Sequence, residues 1–316
     1  MKKNIFLSLA ILCVTISSCT NDTSDNEKYL TVDYKTDLGF FKDVTVNTDN
    51  NVYALSVVPE TDEEKLVLQK ITPDGKPTRL FQTSSYFNDF PKITNDLNGK
   101  LYWTASIQGR INSFTDDYQP STIYTMQGAE QLNIRMDAIC SLTDDSFIVY
   151  DGNARRFKRC SKTLNTDFPI AGSDTYAVVD GVGANAGFVQ INAMKTLNNM
   201  VYVLDSGRYI RKIDCNSTNY TVTTTNDLYY EIIQDFAIAT NEDTYAIVKN
   251  KGICKLENGT YTVLKSGTEK IRASNNKEIS TIDWNAFSKI YIKDKDLYLI
   301  SGYGTLTKIS NFQEKL

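Results

Sequence analysis

The chain has 316 residues, 41% of them hydrophobic and 23% charged, with a formal net charge of −4. These are ordinary globular proportions, and the acidic balance lacks the basic footprint of a nucleic-acid binder. Histidine is absent, which removes histidine-based general bases, catalytic triads and histidine-ligated metal sites.

Residues 1–18 read as a secretory signal: Lys2 and Lys3, an apolar run from Ile5 to Ile16, then small residues. The run is short for a membrane span. The sequence Ile16-Ser17-Ser18-Cys19 resembles the bacterial lipobox, and the resemblance implies a lipoprotein whose mature chain begins at a lipidated, palmitate-bearing Cys19. Residues 19–28 are polar and acidic and read as a flexible tether. Asp22, Asp25 and Glu27 resemble a surface-export signal, so the periplasmic and cell-surface sides of the outer membrane both stay open.

From Tyr29 to Leu316 one pattern repeats: a polar turn, a hydrophobic strand with tyrosine in second place, a turn, then a strand ending in Lys-aliphatic. The tyrosine-bearing strands begin at Val52, Leu101, Phe147, Val201, Thr244 and Leu297, with Ile148 replacing tyrosine once. Taking Tyr53, Tyr102, Ile148, Tyr202, Tyr245 and Tyr298 as markers, subtraction gives spacings of 49, 46, 54, 43 and 53 residues. The following strands end at Ile71, Cys160, Ile213, Leu256 and Ile309, and the second copy offers only RINSF from Arg110. Several strands per unit at a period of about 40–50 residues is the signature of a β-propeller. The predicted fold is all-β: a six-bladed propeller of four-stranded antiparallel blades filling residues 29–316 as one domain. Runs such as VYVL do not alternate, so they should be covered on both faces.

The last blade stops with little room for a fourth strand. Residues Tyr29–Tyr34 are therefore predicted to supply its outer strand and close the ring, which removes exposed edges. The polar linker before the last blade, SGTEKIRASNNKEIS, is predicted to loop over a face.

The segment DGVGANAGF through MVYVLDSGRYIRKID resembles an NHL repeat. The residues that match are Gly181, Gly183, Ala186, Phe188, Asp205, Gly207, Ile210, Arg211, Lys212 and Ile213. As a whole the chain resembles the six-bladed NHL-like propeller lipoproteins of Bacteroidetes. The resemblance implies the fold and an outer-membrane lipid anchor, but no particular ligand.

In an up-and-down sheet, the turns between second and third strands share a face with the blade-to-blade connections. On that face the turns carry Arg110, Arg155, Arg156, Arg208, Lys249 and Lys251, and Tyr303 in the last blade. The connections add Tyr86, Phe87, Asp89, Asp180 and Trp284. Arginine forks suit carboxylates and aromatic faces suit sugar rings. Arg110, Arg155, Arg208, Lys251, Trp284 and Tyr303 are thus the candidate ligand-binding residues, for a glycan such as a uronate-containing chain, or for a partner protein. Arginine after Asp-Ser-Gly equally suits a structural tie between blades, and Trp103, within a strand, suits packing.

Some six-bladed propellers are lactonases or related hydrolases that hold Ca²⁺ near the channel. Asp137, Asp180, Asp235 and Asp283, at the starts of inner strands, are the candidate ligands on that alternative, although aspartate there is also a common turn residue. Propeller lyases that depend on histidine are excluded as mechanistic models. Cys140, Cys160, Cys215 and Cys254 read as small buried hydrophobes, with a Cys215–Cys254 link open as an alternative. The leading reading is a monomeric, non-enzymatic, cofactor-free binding or scaffold protein that meets the membrane through its lipid alone. A Ca²⁺-dependent hydrolase or lyase, and a structural component of an outer-membrane complex, are the alternatives.

Overall fold

The structure is a computed structural model and describes residues 29–60, 63–83, 91–105, 108–126, 134–161, 166–275 and 277–316. The signal segment, Cys19, the tether, Tyr86, Phe87 and Asp89 lie outside the described residues.

The architecture is a β-propeller. Among the described residues, antiparallel sheets succeed one another along the chain. The first comprises Phe40–Val46, Val52–Glu60, Glu63–Ile71 and Pro77–Gln82; the second Ile93–Asn95, Leu101–Ala105, Arg110–Phe114 and Pro120–Thr125. The third comprises Met136–Ser141, Ser146–Asp151, Arg156–Ser161 and Thr166–Ala171. The fourth has Ile191–Leu197, Met200–Asp205, Tyr209–Asp214 and Thr221–Asp227, with Gly181–Val182 added at its outer edge. The fifth has Ile233–Ile238, Thr244–Val248, Gly252–Glu257 and Thr260–Lys265. The sixth has Phe287–Lys293, Asp296–Ser301 and Thr305–Ser310, and its fourth strand is Tyr34–Asp37. The first strand of each sheet touches that of the next, and Phe287–Lys293 touches Phe40–Val46.

The repeated tyrosine follows from this stacking. Each hydrophobic cluster fills the gap between one sheet and its successor, and the marker residue lies in that gap: Tyr53 packs with Trp103, Tyr102 with Phe147, and Tyr202 with Phe236. Tyr298 packs with Val44, and Ile148 with Phe188. A second-strand residue covered on one side by its own sheet's neighbour and on the other by the next sheet has no polar face, hence the non-alternating runs. Burial pushes the phenols of Tyr53 and Tyr202 up to about 12. Trp103 stacks on Phe114 with centroids 6.2 Å apart, which is the packing role.

Two details differ from expectation. Tyr29–Tyr34 is not one outer strand. Leu30–Val32 pairs in parallel with Ile271–Ala273, and the chain then turns at Asp33 so that Tyr34–Asp37 pairs antiparallel with Thr305–Lys308. Asp33 fixes the switch: its N–H donates to Lys308 O at 2.8 Å, and its Oδ2 accepts from Ser310 N at 2.7 Å. The polar linker does not loop over a face either. It forms the hairpin Thr268–Ala273 and Ile279–Asp283, held because Ile271, Ala273 and Ile282 are buried in the core between the fifth and sixth sheets.

Candidate functional site

A repeated backbone bond sets the geometry of one end of the propeller. The N–H just after a second strand donates to the carbonyl just before the first strand of the same sheet: Gly152 to Arg135 at 2.8 Å, Ser206 to Gln190 at 2.7 Å, Lys249 to Ile232 at 2.9 Å and Gly302 to Ala286 at 2.9 Å. Turns and connections therefore share this end. The sixth-sheet turn presses on the connection into the first sheet. A Cβ on Gly304 (φ +86°) would lie 1.8 Å from Gly39 O, so only glycine fits there.

The turns place the predicted residues as follows. Arg208 forks onto Asp227 through Nε (2.5 Å) and Nη2 (2.9 Å). Its guanidinium lies over Tyr209 at 4.6 Å and Tyr229 at 4.3 Å. Arg155 donates to Asp174 O at 2.9 Å and lies 5.0 Å over Tyr176, while neighbouring Arg156 pairs with the Asp174 carboxylate at 3.0 Å. Lys251 lies 3.9 Å from Glu231, whose Oε1 also accepts from Tyr261 at 2.8 Å. Arg110 is exposed, and so is Tyr303, at 86%. Trp284 is fully buried, with Nε1 donating to Glu269 at 3.1 Å. It packs and cannot present its ring to a ligand.

Sequence reasoning missed the most exposed part of this end. Tyr229 and Tyr230, 64% and 90% exposed, meet at 83° with centroids 4.5 Å apart. Tyr176, Ile232 and Phe40 are also exposed in connections or at a first-strand start. The signal was present in the sequence as an aromatic pair, Tyr229-Tyr230, between two strands, where packing gives no reason for it.

The central channel is lined by all six first strands, with Asp43, Lys92, Asp137, Lys195, Lys289 and Tyr291 among its lining residues. Its free volume is about 110 Å³, room for a few waters at ~30 Å³ each. Its charges serve neighbouring sheets. Asp43 accepts from Ile93 N at 3.0 Å. The fully buried Asp235 accepts from Ile290 N at 3.0 Å and lies 3.7 Å from Lys195. Asp235, and secondarily Asp43, hold the Lys289 ammonium above its ordinary value against burial.

The four candidate cation ligands are not brought together. Asp137 is gripped by Arg135, with contacts of 2.7–2.9 Å. Asp235 is engaged within the channel wall, and Asp283 caps Asn285 N at 2.9 Å. Asp180 takes Thr224 N and Oγ1 at 2.8 Å and Arg211 Nη2 at 3.1 Å. Burial opposes its ionisation, but the bonds from Thr224 and Arg211 outweigh that and hold its carboxyl below the usual value. Among the described residues no group of three or more Cys, Asp or Glu is placed to hold a metal. As placed, these four aspartates do not form a Ca²⁺ site.

Arg211, in the NHL-like segment, is fully buried. Nη1 donates to Gly187 O (2.6 Å) and Asp205 Oδ2 (3.1 Å), and Nη2 to Val179 O (2.6 Å). The opposite oxygen of Asp205 accepts from Val189 N and Gln190 N. Cys140, Cys160, Cys215 and Cys254 are buried free thiols. Burial pushes Cys160 and Cys215 up to about 12 and Cys254 to about 11. Cys215 and Cys254 occupy different clusters and are not linked.

No protein-family model and no curated protein matches this sequence. Solved structures do resemble it. A gluconolactonase from Xanthomonas campestris superposes with a TM-score of 0.55 at 9% identity, over 89% of this chain and 88% of its own. Virginiamycin B lyase from Staphylococcus aureus gives 0.54 at 11% identity, over 88% of this chain and 99% of its own. A protein of unknown function from Bacteroides thetaiotaomicron gives 0.52 at 16% identity over 84% of this chain, which spans 58% of that longer one. These similarities establish the propeller fold.

Proposed function

We propose that this protein is a lipid-anchored, extracytoplasmic binding protein whose ligand is a glycan, held on the end of the propeller that carries Tyr229 and Tyr230. In this reading the six sheets are six NHL-like blades closed by Tyr34–Asp37, and Cys19 carries the acyl chains that tether a monomer to the outer membrane. No described helix is long and apolar enough to cross a membrane.

The observation that carries the reading is the concentration of exposed rings at one end: Tyr176, Tyr229, Tyr230 and Tyr303. An exposed aromatic costs solubility and contributes nothing to a core, and apolar patches on a soluble surface mark interaction sites. The channel is no rival. At about 110 Å³ it falls below the ~300–1,000 Å³ of small-molecule sites. A cation-dependent hydrolase is the weaker reading, because Asp137, Asp180 and Asp283 already accept bonds from the protein's own donors and Asp235 is buried in the channel wall.

A panel of immobilised polysaccharides tests this. The soluble domain binds at least one, and Tyr229→Ala/Tyr230→Ala weakens that binding at least about tenfold, some 1.4 kcal/mol. Undiminished binding by the double variant overturns the site, and a protein partner lost on the same substitution replaces the glycan. The anchor is tested by palmitate incorporation, present in the full-length chain and lost in Cys19→Ala.

A further inference from the structure

We infer that the protein has a second binding site, a groove on its outer wall between the third and fourth sheets, which takes an aliphatic chain with a carboxylate head. The site is separate from the turn-end site and does not depend on it. The groove has a volume of about 710 Å³ and a mainly apolar lining, within the ~300–1,000 Å³ of small-molecule sites. One wall is the outer strand of the third sheet with Gly172 after it. The other is the segment Val182–Ala184 with the turn that precedes Thr221. Gly183, at φ +55°, turns the chain after Val182. The walls meet where Gly172 N–H donates to Gly183 O at 3.2 Å.

The groove has an apolar length and a cationic end. Phe168 and Ile170 stand two apart on one strand and so point to one face. Ile170 is buried there in the core between the third and fourth sheets, whereas Phe168 stays 44% exposed with its ring 6.5 Å from that of Tyr220. Val182, on the other wall, is 46% exposed. From Phe168 to Gly172 the strand runs about 13 Å at ~3.3 Å per residue, which suits an extended chain. Arg156 lines the Gly172 end, its Cα 3.0 Å from where a Cβ on Gly172 would lie. Its Nη2 pairs at 3.0 Å with Asp174, whose side chain is 86% exposed, and its Nε is buried without an acceptor among the described residues. A buried donor left unmatched is a cost that an incoming acceptor removes, and a guanidinium fork matches a carboxylate. The head therefore lies by Arg156 and the chain runs towards Phe168 and Tyr220.

The test is calorimetric titration of the chain from Thr20 onward, which keeps every described residue and leaves out the lipid, with dodecanoate, octanoate and dodecanol. Dodecanoate is expected to bind more tightly than octanoate, by up to about fourfold for each methylene that leaves water. It is also expected to bind about tenfold more tightly than dodecanol. Arg156→Gln removes the preference for dodecanoate over dodecanol, and Phe168→Ala weakens both ligands about fivefold. Phe168 and Arg156 both reach the surface, so these variants fold as the parent does, which circular dichroism checks. No binding of dodecanoate, or binding that Phe168→Ala leaves unchanged, overturns the site. Dodecanol bound as tightly as dodecanoate by the parent overturns the carboxylate head, and the inference with it.

Discussion

At the scale of single residues, Arg211 shows what the NHL-like segment is for. Its guanidinium is fully buried and ties the connection carrying Val179, Asp180 and Gly187 to Asp205 in the neighbouring strand. A charge so placed is stable only while its partners are present, and removing one member of a buried pair costs about 3–5 kcal/mol. Arg211→Met is expected to lower the unfolding free energy read from urea titration by that order, with the Asp205 carboxylate left in the core without its cation. A loss below about 1 kcal/mol, the range of surface pairs, would show that the knot is ornamental. Arg208, three residues earlier in the same motif, behaves differently because it is at the surface, where its partner Asp227 is half exposed. The sequence distinguished these two arginines poorly. Both follow Asp-Ser-Gly, and what separates them is that Arg208 lies in the turn whereas Arg211 lies within the strand Tyr209–Asp214 and is buried there.

At the scale of elements, the strand Tyr34–Asp37 belongs to the sixth sheet by pairing and to the core by its side chains. Tyr34 is fully buried against Leu38, Val52 and Leu306, and its ring sits where a Cβ on Gly75 would lie at 2.6 Å. Tyr34→Ala is expected to cost about 3–5 kcal/mol, as for other large-to-small aromatic changes in cores, read as a lowered melting temperature. Stability equal to the parent would mean that the amino-terminal strand is not part of the closure. The repeat strands were legible in the sequence because a strand buried on both faces leaves an unmistakable run of hydrophobics with a tyrosine at a fixed place. The split of residues 30–37 into two strands was not, since Asp33 acts through partners nearly the whole chain away, Lys308 and Ser310. The hairpin Thr268–Asp283 was missed for a related reason. Most of its residues are polar, and it is held by a few buried ones, Ile271, Ala273 and Ile282, against the core between the fifth and sixth sheets.

At the scale of the whole molecule, the channel and the end that bears the turns differ as places to receive a ligand. The channel is narrow and its charges are engaged between sheets: Asp43 with Ile93, Asp235 with Ile290 and Lys195. The turn end is where the exposed rings gather. Sequence periodicity placed the turns on one face, which is how Arg155, Arg208 and Tyr303 came into view. It could not show that Arg208 is paired with Asp227, 19 residues further on, or that Arg155 donates to the backbone carbonyl of Asp174. Arg156 and Arg208 are thus paired with carboxylates, and exposed rings share their end of the molecule. A crystal structure of the soluble domain with a bound oligosaccharide tests the binding reading most directly. The account predicts sugar density against Tyr229 and Tyr230 with the Arg208–Asp227 fork intact, whereas sugar in the channel among Lys92, Lys195 and Lys289 would contradict it.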